Sequence, residues 1–92
     1  MDKNKIALSS LAMDLKRVAL GYHRGSIQMA DRFLEEALKR KQEINLKNVK
    51  PYVKKLLEKI DGLKIGTDKQ KIAEDALMYS ALIQNAALAS SF

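Results

Sequence analysis

Apolar residues return at spacings of three and four along almost the whole chain, and no stretch alternates as a half-buried strand would. Only a helix brings positions with that spacing onto one side. One proline and four glycines leave long runs without a helix breaker. The expected fold is all-α, a small antiparallel four-helix bundle with up-down-up-down order. Its helices are expected over roughly 4–23, 26–43, 49–62 and 68–90. Ninety-two residues make a single domain near the lower end of what folds alone, so association with a partner would add to a thin stability margin.

In the first helix Leu8, Leu11, Leu15, Val18 and Tyr22 form a narrow stripe, with Ala12 and Ala19 beside it. In the second, Ile27, Ala30, Leu34, Ala37 and Leu38 make the inner face, with Ser26 as N-cap. Continued as one rod, the two stripes would centre about 100° apart. The segment "GYHRGS" also places glycines at the join, so a break is expected near residues 23–25, although a bent continuous helix is the other solution. Asn48 is the expected N-cap of the third helix, with Pro51 in the first turn. Its stripe is Val49, Val53, Leu56, Leu57, Ile60 and Leu63. Thr67 and Gln70 have capping-box spacing before the fourth helix. That helix is apolar over much of its girth, so it either sits centrally or contributes an interface.

The charge is uneven. The chain carries a net +6, and residues 39–64 hold an excess of six basic groups by themselves. Lys39, Arg40, Lys41, Lys47, Lys50, Lys54, Lys55 and Lys59 could together form a surface for phosphates, because each neutralised phosphate releases condensed counterions. Lysine is also the ordinary coat of an amphipathic helix, and the 39–41 cluster suits the negative end of a helix dipole. Arg40 and Tyr52 are the only fork and stacking candidates in the segment, and none of the recognised zinc-finger, helix-turn-helix or RNA-recognition patterns occurs.

Catalytic candidates are few. Without cysteine there is no disulfide frame, thiolate metal site or thiol nucleophile, and the cytoplasm is the default location. The most apolar run, "ALMYSALIQNAALA", is too short to span a bilayer. No Glu-x-x-His pair exists for a di-metal bundle site, so Glu35–Glu36 and Glu74–Asp75 read as structural, with Arg32 one cation that could face Asp75. No cofactor and no metal are expected. Arg17 and His23, the only histidine, stand with five residues between them in "RVALGYH". That spacing resembles the motif of the HEPN family, small helical bundles of which many are ribonucleases. The resemblance implies phosphate gripping by Arg17 and acid–base work by His23. The residue after the arginine, often polar in that family, is Val18 here.

These features point to a non-enzymatic helical interaction or oligomerisation module, partnered by its own copy or another protein. Tyr79, Leu82, Ile83, Gln84 and Ala86 on the fourth helix are the expected interface. The alternative is a nucleic-acid-binding protein using residues 39–64 without strong sequence preference. A HEPN-like ribonuclease is the further alternative.

Overall fold

The computed structural model describes residues 3–89, which form four α-helices and two 3-10 turns. Helix α1 covers Lys3–His23, α2 Ile27–Gln42, α3 Pro51–Asp61 and α4 Lys69–Leu88; the turns are Leu46–Asn48 and Gly62–Ile65. Residue 90, the expected end of the last helix, lies outside the described residues. The architecture is the expected all-α four-helix bundle, 36 × 21 × 19 Å in extent. No helix among the described residues is long and apolar enough to cross a membrane.

The central place belongs to α1, not α4. Its whole expected stripe is buried, and Leu8, Leu11, Leu15 and Val18 are fully so. One flank of α1 packs on α2 and the other on α4, both antiparallel to it. The Ser80 hydroxyl donates to the Ala12 carbonyl at 2.7 Å across the α1–α4 seam. At one end of the bundle the Tyr22 hydroxyl donates to the Asp31 carboxylate, and the Lys69 ammonium lies 3.8 Å from Asp31 and over the Tyr22 ring. Burial first, and then the Asp31 partner, push the Tyr22 phenol well above its usual range. At the other end the Asn4 side chain pairs with the main chain of Asn45. Its Nδ2 donates to the Asn45 carbonyl at 3.0 Å, and the Asn45 N–H donates to its Oδ1 at 2.9 Å.

The join between α1 and α2 is a sharp break. Ser26 N–H donates to Gly21 O at 2.8 Å and Gly25 N–H to Tyr22 O at 3.2 Å, the paired bonds of a Schellman stop. Gly25 takes φ +79°, the left-handed conformation this stop needs. Ser26 precedes α2, yet its side chain makes no capping bond. Ile27 is 46 % exposed instead of facing inward, because it stands at the bundle's tip, beyond the point where Ala30 crosses Gly21. Ala30, Leu34 and Ala37 supply the buried face of α2.

Two expected caps are displaced. Asn45, not Asn48, is a cap; its side chain accepts from Lys47 N–H at 3.0 Å and starts the first 3-10 turn. The residue before a proline is driven to extended backbone, and Lys50 (ψ 154°) obeys, so α3 starts at Pro51 itself. Asp68, not Thr67, caps α4, its carboxylate accepting from the Gln70 and Lys71 N–H groups. A carboxylate there also complements the positive end of the helix dipole. Helix α3 is short, about 16 Å against about 30 Å for α4. It closes the core with Val53, Leu57 and Ile60, while the Lys41–Asp61 pair at 2.8 Å ties its end to α2.

Candidate functional site

The eight basic residues singled out in the sequence stand in different surroundings. Lys47, Lys50, Lys54, Lys55 and Lys59 are exposed. Lys41 is committed to Asp61, and Arg40 lies between Asp14 (3.8 Å) and Glu43 (3.6 Å). Lys39 faces a separate cleft along α2, shared with Lys64, Asp31 and Glu35. Position on α2 explains the split, since Arg40 points towards α1 while Lys41 reaches α3.

Two of the exposed lysines, Lys55 and Lys59, line a groove beside α4. Between α3 and α4 runs a cleft of about 440 Å³, lined by Leu56, Leu82, Ala86 and Tyr52. Lys55 and Lys59 form its α3 rim, and Asn85 stands on the α4 side. Leu82 is 41 % exposed and Tyr52 50 %, so the groove offers apolar area to a partner. Of the other α4 positions expected at an interface, Ile83 lies fully in the core and Ala86 is buried at the groove's base. Packing takes Ile83 off the available surface, because its direction on the helix is that of Ala76 and Ala87, towards α1. Tyr79 is half-buried against the core, and Gln84 is half-buried outside the groove.

Arg17 and His23 are not brought together. Arg17 lies over the Phe33 ring, 5.5 Å from its centroid, in a cleft between α1 and α2. His23 lines a different depression, with Gln70, Ala73 and Glu74. Six residues along a helix put two side chains about 120° apart, and neither cleft holds both groups. Asp75 pairs with Lys71 at 3.7 Å within α4, not with Arg32. Among the described residues no group of three or more His, Cys, Asp or Glu side chains is placed to hold a metal ion.

The α1–α2 cleft contains a residue that sequence reasoning passed over. Asp14 sits on the apolar stripe of α1, between Leu11 and Val18, and is only 6 % exposed. A carboxylate three residues after one core position and four before the next was the available signal. Its Oδ1 lies 3.5 Å from Arg17 and its Oδ2 3.8 Å from Arg40, yet Oδ2 and the Arg40 Nε are buried with no hydrogen-bond partner. Burial raises the Asp14 carboxyl above its ordinary range; Arg40 and then Arg17 oppose the shift, and Glu36 adds to it.

That direction has a measurable consequence. The folded chain holds the Asp14 proton more tightly than the unfolded chain. The stability it contributes is therefore complete below about 3.8 and is lost as pH rises through the folded value. Asp14→Asn is expected to unfold at a higher temperature than the parent at pH 7, with the two converging near pH 4. Thermal melts at both values check this. A variant less stable at pH 7 would mean that the arginine pairs outweigh the cost of burial.

Comparison with family models, curated proteins and solved structures finds no match to this chain.

Proposed function

We propose that the protein is a non-enzymatic interaction module that seats an acidic amphipathic helix of another protein in the α3–α4 groove. The observation that carries this reading is one cleft lined both by the apolar Leu56 and Leu82 and by Lys55 and Lys59. A helix laid in such a groove presents apolar residues at three- and four-residue spacing to the leucines, and its flanking acids meet the lysines. Complementary charge of this kind speeds encounter and selects the partner. A second copy of this chain is a poorer occupant, because a two-fold contact through the groove would oppose each Lys55 and Lys59 with its own equivalents.

The test uses a labelled helical peptide with leucines at positions i, i+3, i+4 and i+7 and glutamates elsewhere. It is expected to bind the full chain and to lose at least about tenfold in affinity with Leu82→Glu. Lys55→Glu with Lys59→Glu is expected to weaken binding in a salt-dependent way. RNA and DNA oligonucleotides run in parallel. Oligonucleotide binding that falls steeply with salt, survives Leu82→Glu and occurs without peptide binding would replace this reading with the phosphate-binding one.

A further inference from the structure

We propose that the cleft between α1 and α2 is a second, separate binding site, for a small ligand whose oxyanion, a phosphate monoester or a carboxylate, is attached to a flat apolar group. Three arginines, Arg17, Arg32 and Arg40, line one cleft of about 750 Å³. That volume lies in the range of small-molecule sites. Among the described residues Arg32 has no ion-pair partner, while Arg17 meets Asp14 at 3.5 Å and Arg40 meets Asp14 at 3.8 Å and Glu43 at 3.6 Å. A fork-shaped donor without an ion-pair partner, as Arg32 is, can be satisfied by a carboxylate or phosphate, two bonds at a time.

The surroundings separate this cleft from an ordinary solvated arginine surface. The Arg17 and Arg40 side chains, 48 % and 37 % exposed, both lie against the buried Asp14 carboxylate, at 3.5 and 3.8 Å. Phe33 supports the Arg17 plane from below. Asp14 is more than nine-tenths buried and leaves one oxygen without a hydrogen-bond partner, a costly arrangement that a core leucine at the same position would avoid. Its carboxylate is shared between the Arg17 and Arg40 guanidiniums, at 3.5 and 3.8 Å. The lining carries three positive and two negative groups, and Glu43 meets Arg40 from outside it at 3.6 Å, so Arg32 is the guanidinium left without an ion pair for an arriving anion. Phe33 and Met29 give the wall an apolar section beside the arginines, which is why the ligand needs a flat apolar body behind its charged head.

The experiment is a titration of the ¹⁵N-labelled full chain with phenyl phosphate, benzoate and inorganic phosphate, following the backbone amides of α1 and α2 and the arginine Nε–Hε signals. Saturable shifts at Arg17, Arg40 and the neighbouring α2 amides are expected. Stronger binding of phenyl phosphate would assign the head group as phosphate, and stronger binding of benzoate as carboxylate. Arg32→Gln, an exposed position without an ion pair, leaves the fold intact and is expected to weaken binding at least about tenfold. Phe33→Leu is expected to weaken phenyl phosphate binding more than that of inorganic phosphate, and Leu82→Glu to change neither. Absence of saturable shifts up to about 10 mM ligand would overturn the proposal. So would shifts that Arg32→Gln leaves unchanged.

Discussion

Gly21→Val is expected to lower the stability of the protein by about 2 kcal/mol or more, a fall of about 8–16 °C in the thermal midpoint. Helix propensity alone predicts the opposite sign, since replacing glycine inside a helix normally gains a few tenths to about 1 kcal/mol. The packing decides it. A Cβ at position 21 would lie 2.9 Å from the Cβ of Ala30, 3.1 Å from its Cα and 3.2 Å from its N. Two of those atoms are main chain and cannot swing aside, so α2 must move away from α1 and loosen Leu34 and Ala37 as it goes. Gly21→Ala should show a milder loss, partly recovered when Ala30→Gly is added, because that change deletes the nearest atom. Equilibrium urea unfolding of the two single variants and the double variant measures the coupling. Independent, additive effects would place the cost somewhere other than this crossing. The contrast is Gly25, where a Cβ would meet nothing within 4 Å and the cost of substitution comes only from its φ of +79°.

Asn4→Ala is expected to cost about 2 kcal/mol, close to the net worth of the two hydrogen bonds its side chain exchanges with the main chain of Asn45. Position 4 tolerates little else, since the residue is only 4 % exposed and the partner needs a donor and an acceptor side by side. Asn4→Asp tests that need directly. An ionised carboxylate can accept from the Asn45 N–H but turns a second oxygen towards the Asn45 carbonyl. The protonated acid restores the donor, so this variant is expected to recover stability as pH falls, while Asn4→Ala does not. Urea midpoints at pH 4 and pH 7 separate the two cases, and parallel pH behaviour would show that the carbonyl partner matters little.

How much of this was legible in the sequence depends on what each residue's role rests on. The stripes of α1 and α3 could be read because burial of Leu11, Leu15, Leu57 and Ile60 follows from spacing alone. The Gly25 stop was legible as a break, since a glycine between two out-of-phase stripes has few other uses. Caps slipped by one to three residues, because Asn45, Asn48, Thr67 and Asp68 all have competent side chains and only the path of the backbone chooses among them. The sites were harder. Periodicity cannot say which neighbour a helix meets, so Lys55 and Lys59 of α3 and Leu82 of α4 were separate signals until the fold set them on one groove. Asp14, Arg32 and Arg40 come from two helices and have no sequence spacing that would join them. Asn4 and Asn45 are 41 positions apart, and nothing local marks either as the partner of the other.

The central place of α1 shapes how the chain emerges during synthesis. The hairpin of α1 and α2 is complete once Gln42 has left the ribosome, and its contacts are close in sequence. The other flank of α1 has no cover until α4 is made, because the Ala12 carbonyl waits for a hydroxyl 68 residues downstream. At about 5–20 residues per second, the stretch from Gln42 to Leu88 leaves Leu8, Leu15 and Ala19 open to water for a few seconds in every nascent copy. In that interval the half-built bundle displays the sort of sticky apolar strip that chaperones bind, and a synthesis pause in the α3 region would prolong the exposure in proportion.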